Sequence, residues 1–227
     1  MKIVIIGTGM VGRALAGKIV EIGHDVMIGT RNVNQSLSRP EKDRITNQTF
    51  AEWQGQNPRV KLGTFAEAAM HGEVIISATA GSASIEPLKK AGAANLKGKT
   101  LIDISNPLDF SKGMPPTLSV CNTDSLGEQI QRAFPEVKVI KTLNTTNAFM
   151  MTNPQQLANG DHTMFVCGND ANAKTAVIGY LKEWFGWRDI IDLGDITSSR
   201  GTEMLLPIWI RLFGLLKTPV FNFKIVR

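Results

Sequence analysis

The chain has little of what most enzymes use for proton transfer, nucleophilic attack or metal binding. Its 227 residues include three histidines, two cysteines and one tyrosine. Tyr180 is followed four positions later by Trp184, which excludes a Tyr-x-x-x-Lys catalytic pair. His24, His71 and His162 fall in unrelated segments, and no Cys or His spacing makes a zinc site, so no metal is expected. His162, beside Asp161, reads as a surface loop histidine rather than a general acid. A G-x-S-x-G nucleophile elbow is absent. Cys121 and Cys167 show no disulfide pattern, which suits reduced thiols and a cytoplasmic protein.

Charge of one sign is also missing as a patch. The net charge is +5, but Lys89-Lys90 is the only adjacent basic pair, so no nucleic-acid footprint is expected. No apolar run is long enough for membrane insertion. Met204 to Leu216 contains Arg211 and falls short of the ~20 residues a span needs. The N-terminal run Ile3 to Ile6 is broken by Gly7, Gly9 and Gly12 and followed by Arg13, so it reads as mature sequence rather than a leader.

With 43% hydrophobic and 20% charged residues, the chain can bury a core, and its length suits one α/β domain with a small second lobe. Ile3 to Ile6 predicts a buried parallel strand, and Met10 to Ile22 a helix stopped by Gly23. Val26 to Gly29 and Arg59 to Leu62 read as further strands, with a polar stretch over 30–57 between them. Helix and strand then alternate: helices over 65–70 and 85–94, strands over 74–78 and 100–104. After a proline-rich loop over 105–116 come a helix over 125–134 and a sixth strand over 137–142. This alternation predicts a Rossmann-type doubly wound, mainly parallel sheet over residues 1–152. Past Asn153-Pro154, a strand at 163–167, a helix at 171–184, a strand at 190–193 and a long helix at 198–216 predict a small α/β C-terminal lobe, residues 153–227.

Gly7-Thr8-Gly9-Met10-Val11-Gly12 follows the first strand and opens the first helix, the context of a dinucleotide fingerprint. Gly7 permits the tight turn, Gly9 lets a pyrophosphate approach the backbone, and Gly12 lets helix and strand pack closely. The amides opening the helix, at Met10 and Val11, would face phosphate. The overlapping G-x-x-x-x-G-K pattern ending at Lys18 is not a P-loop, because Ile19 replaces the magnesium-binding hydroxyl. Where NAD-specific folds place an acid, at the end of the second strand, this chain has Gly29-Thr30-Arg31-Asn32. A guanidinium and a hydroxyl suit a 2′-phosphate, so NADP(H) is the expected cofactor. Thr79-Ala80, Asn106-Pro107 and the run Asn144-Thr145-Thr146-Asn147-Ala148 end other strands at the edge where such sheets bind ligands.

Together with Gly201-Thr202-Glu203-Met204-Leu205-Leu206-Pro207, these segments make the chain similar, over nearly its whole length, to NADPH-dependent reductases of the 8-hydroxy-5-deazaflavin coenzyme. It also resembles the related domain of membrane ferric reductases, to which the Asn144-Thr145 pair is the more similar. The resemblance implies NADP held by Thr8 to Val11, by Thr30 and Arg31, and by the segments around Thr79, Asn106 and Asn144. It further implies a homodimer built through the C-terminal lobe, beside an acceptor cleft. The small-molecule hydride acceptor would be a deazaflavin, or FMN or FAD. Reduction of a small ketone or imine, and non-catalytic NADP sensing, stay open as alternatives. No catalytic side chain is expected, because a flavin-like ring spreads the arriving charge itself, whereas a carbonyl needs a proton donor.

Overall fold

The computed structural model describes residues 1–43 and 46–227; residues 44 and 45 of the polar stretch lie outside the described residues. The β-branched run forms β1 (Lys2–Ile6), and α1 (Met10–Glu21), β2 (Asp25–Thr30), α2 (Val33–Leu37), α3 (Phe50–Gln56) and β3 (Lys61–Thr64) follow. β3 starts two residues later than expected, because Val60 N–H closes a turn onto the Asn57 carbonyl. Next come α4 (Phe65–His71), β4 (Val74–Ser77), α5 (Ile85–Ala91), α6 (Ala93–Leu96) and β5 (Thr100–Asp103). The single helix expected over 85–94 is thus broken, at Gly92, whose φ of 89° lies in the left-handed region. The loop over 105–116 contains β6 (Leu108–Asp109), which pairs antiparallel with β7 (Thr117–Leu118) as a small ribbon.

α7 (Leu126–Ala133) is capped by the Ser125 hydroxyl, and β8 (Lys138–Thr142) and α8 (Ala148–Thr152) complete the first part. β9 (Thr163–Gly168), α9 (Ala171–Tyr180), β10 (Asp189–Asp192), α10 (Ser199–Met204) and α11 (Leu206–Leu216) make up the rest. The expected long helix over 198–216 is divided at Leu205. Pro207 sits in the first turn of α11, where its missing N–H costs nothing, whereas within one continuous helix it would remove a bond and clash with the preceding turn.

The eight long strands form one sheet in the order β10-β9-β8-β5-β4-β1-β2-β3. β1 to β5 and β8 are parallel, β9 is antiparallel to β8, and β10 is parallel to β9. The C-terminal lobe therefore shares its sheet with residues 1–152. Alternate residues of β1 serve opposite faces. Ile3 and Ile5 join Leu15, Ile19 and Trp184 in one core, and Val4 and Ile6 join Phe65, Leu88 and Ile130 in the other. Strands buried on both faces need apolar residues throughout, which is why Ile3 to Ile6 shows no alternation. Among the described residues no helix is long and apolar enough to cross a membrane.

Candidate functional site

Parallel strands deliver their carboxyl ends to one edge, and a cleft of about 390 Å³ opens there above β1, β2 and β4. The fingerprint builds its floor. Gly7 has a φ of 127°, and a Cβ on it would lie 2.6 Å from the Ala78 carbonyl oxygen. A Cβ on Gly12 would lie 2.3 Å from the Gly7 oxygen, so α1 and the turn after β1 touch backbone to backbone. Gly9 differs, since a Cβ there would meet no protein atom within 4 Å. Packing of the chain itself does not demand that glycine, whereas close approach by a ligand would. Gly9 is also the N-cap of α1, with no side-chain cap and no acid in the first turn, which leaves the opening amides of Met10 and Val11 for an anion.

Thr8, Thr30, Arg31, Asn32, Thr79 and Ala80 all line this cleft, so the structure brings together the residues that the sequence places on three separate strand ends. Four of them are partly engaged: Thr30, Asn32, Thr8 and Thr79, whose hydroxyl donates to Ser84 Oγ at 3.2 Å. The Thr30 hydroxyl lies 2.6 Å from that of Ser36, and the Asn32 carboxamide oxygen accepts the Gln35 N–H at 2.9 Å to cap α2. Arg39 lines the same cleft, and its Nη2 donates to Thr8 Oγ1 at 2.5 Å. In the sequence Arg39 reads only as a helix terminator before Pro40; the signal was a second guanidinium eight residues after the first. Arg13 stands close behind. Burial pulls its guanidinium below the ordinary arginine range, Asp43 opposes that shift, and Arg39 adds to it. Arg31 and Arg39 thus bring two guanidinium groups to the cleft, and no carboxylate is among its described lining residues.

Asn106 and Asn144 form a second group. Asn106 Nδ2 donates to the Asn144 carbonyl at 2.8 Å, and Asn144 Nδ2 donates to Asn106 Oδ1 at 2.9 Å. The two groups adjoin at Gly81, where a Cβ would collide with the Asn106 carbonyl oxygen. Pro107 is buried beside the same contact and borders a smaller cavity of about 380 Å³. Beyond Asn144, the Thr145 and Thr146 hydroxyls are buried with no hydrogen-bond partner, and the Ser77 hydroxyl at the end of β4 is likewise unpartnered. Buried hydroxyls without partners are costly, so hydroxyls of this kind at strand ends suit a ligand that supplies hydrogen bonds.

Asn147 and Ala148 serve a different purpose in this structure. Asn147 Oδ1 accepts the Phe149 and Met150 N–H groups at the start of α8, its Nδ2 donates to the Pro219 carbonyl at 2.5 Å, and Ala148 is buried as the first residue of that helix. Asn147 therefore anchors the C-terminal tail. His162 corrects the surface expectation, since it is 2% exposed. Its Nε2 contacts the Pro154 carbonyl, its Nδ1 contacts Asn222 Nδ2, and its ring meets Trp187 edge-on. β9 runs antiparallel to β8, which brings this residue inside the fold against the tail.

A buried ionic cluster lies beneath the two asparagines. Lys141 Nζ reaches Asp103 at 2.8 Å and Glu203 at 2.7 Å, and donates to the Ser105 carbonyl at 2.6 Å. Burial alone would pull the ammonium down, but Asp103 and Glu203 outweigh it and hold it above the ordinary lysine value. Nothing in the run Lys141 to Ala148 distinguishes this lysine as buried; only the meeting of β5, β8 and α10 does. Cys167, buried close by, has its thiol pushed up to about 12 by burial. Native protein is accordingly expected to react with one equivalent of a thiol reagent at pH 8, at exposed Cys121, and with two equivalents after denaturation. Rapid modification of both thiols in the native state would contradict the packing.

Residues 2–107 match the sequence profile of the family described as NADP oxidoreductase coenzyme F420-dependent. The crystal structure of a proposed F420-dependent NADP reductase from Arthrobacter sp. FB24 is 56% identical, superposes with a TM-score of 0.96, and is covered over 100% of both chains. An F420-dependent NADP reductase of Methanocaldococcus jannaschii is 29% identical over 93% of this chain and 92% of its own length. The metalloreductase STEAP3 of Rattus norvegicus is 26% identical over 92% of this chain, which amounts to 38% of that longer protein.

Proposed function

Because this chain belongs to the family of F420-dependent NADP oxidoreductases, we propose that it transfers a hydride between NADPH and a deazaflavin or flavin acceptor. The observation that carries the reading is the cleft itself, an uncapped α1 N-terminus and open Gly9 facing Arg31 and Arg39. The α1 amides would hold the pyrophosphate, and Thr30, Arg31 and Arg39 the 2′-phosphate. The unpartnered Thr145 hydroxyl and the Asn106–Asn144 pair would receive the nicotinamide end. NADPH supplies the hydride when bound. The chain's part is to orient the two partners, since among the described residues no acid or base side chain lines the cleft.

Turnover decides the acceptor. NADPH oxidation is to be followed with purified protein against deazaflavin, FMN, FAD and a panel of ketones and imines, with rapid oxidation by the deazaflavin expected. Efficient ketone turnover with every flavin-like acceptor failing would overturn the reading.

The assembly belongs to the same proposal. In α11 only Leu206 is buried, while Ile208, Phe213, Leu215 and Leu216 are exposed, Leu215 by 75%. A helix so apolar on its outer side calls for a partner surface. We read it as the homodimer face of the C-terminal lobe, in a cytoplasmic protein with no nucleic-acid partner. Light scattering at micromolar concentration should give twice the 24.8 kDa chain mass, and a monomer would contradict this reading.

A further inference from the structure

The cluster of Lys141, Asp103 and Glu203 sets one ammonium against two carboxylates, with side chains 0%, 0% and 2% exposed. Its formal charge is minus one. Glu203 also accepts the Leu126 and Gly127 N–H groups at 2.9 and 3.0 Å, and Asp103 Oδ1 accepts the Ser105 N–H and hydroxyl. These bonds hold both carboxylates in place and bring no countercharge beyond the partial one of the α7 N-terminus. Neighbouring carboxylates on α7 and before it are already matched, Glu128 by Arg200 and Asp124 by Arg132. The cluster also adjoins the functional edge. Lys141 Nζ bonds the Ser105 carbonyl, one peptide from Asn106, and Asn144 lies three residues beyond Lys141.

Resting on the reading that NADP(H) binds with its nicotinamide end at Asn106 and Asn144, we propose that the Lys141–Asp103–Glu203 cluster acts as a fixed negative charge that makes bound NADPH the better hydride donor. When the hydride leaves, the C–H bond breaks with both electrons going to the acceptor, and the nicotinamide left behind carries a positive charge. A buried negative charge below that position favours the oxidised, cationic ring over the neutral reduced one. Because the site is sealed from water, the effect escapes most solvent and salt screening.

The test is the ratio of two dissociation constants, Kd(NADP+) over Kd(NADPH), titrated by fluorescence on the full-length wild type, Glu203→Gln and Asp103→Asn. Each substitution removes one carboxylate charge, and each is expected to raise the ratio about 5- to 20-fold. A tenfold rise corresponds to about 30 mV in the two-electron potential of the bound couple. Both constants come from the same folded variant, so general loosening cancels in the ratio. An unchanged ratio, or equal weakening of both cofactors, overturns the proposal. Should one variant fail to fold, the other carries the test. A wild type that binds neither cofactor would overturn the functional reading instead, which is a different result from variants that preserve the wild-type ratio.

Discussion

Lys141→Met is expected to lower the free energy of unfolding by about 3–5 kcal/mol, a large part of the stability of a domain this size. The cost comes less from the lost ion pairs than from what remains, two carboxylates packed together with no cation and no water. Asp103 and Glu203 lie on β5 and α10, so their repulsion would push α10 away from the strand it covers. Urea denaturation followed by tryptophan fluorescence measures the change. Lys61→Met is the comparison, because its partner Asp25 and its own ammonium are partly solvated, 34% and 53% exposed. That substitution should cost about 0–1 kcal/mol. Equal losses for the two would mean that the Lys141 cluster is open to water. Linkage has a definite sign here. The Lys141 value is raised in the folded protein, so its contribution is complete below the ordinary lysine value of 10.5 and fades only as pH rises through the higher folded value.

Removing both Arg31 and Arg39 is expected to abolish discrimination between NADPH and NADH. One charge-assisted hydrogen-bonded contact contributes about 1.5–3 kcal/mol, or about 10- to 100-fold in affinity. Arg31→Ala alone should therefore weaken NADPH by that factor and leave NADH nearly unchanged. The double variant should lose about 10²- to 10⁴-fold if the two contacts add, and somewhat less if they share the same phosphate oxygens. Arg39→Ala carries a second effect, because Thr8 loses the donor at 2.5 Å that ties it across the cleft. Titration of both cofactors against wild type, the single variants and the double variant measures this. A double variant that keeps the wild-type ratio of affinities would place the 2′-phosphate elsewhere.

The cleft at the ends of β1 and β2 is legible in the sequence because its requirements are local. Gly7, Gly9 and Gly12 answer to a turn, an approach and a close packing within six residues, and Thr30-Arg31 follow directly from the end of β2. Arg39 carries no such local signal, because its side chain turns back across the cleft to Thr8, a contact spanning 31 positions. Asn147 has a structural role that its own segment does not announce. A polar residue at a strand end looks like a ligand contact, yet its carboxamide caps α8 and holds Pro219, 72 residues further on. His162 likewise looks exposed until β9 turns antiparallel and the tail covers it through Asn222.

By itself the sequence determined the parallel βα core, the glycine turn and the arginine at the end of β2, since each depends on periodicity or on neighbours within a few residues. Tertiary structure alone decided that the C-terminal strands join the main sheet, that Arg39 lines the cleft beside Thr8, and that Lys141 is buried between Asp103 and Glu203. The reason is physical. A side chain's charge and hydrogen-bonding capacity are written in its own residue, but its burial and its partners are set by strands and helices that meet from 38 to more than 70 positions away.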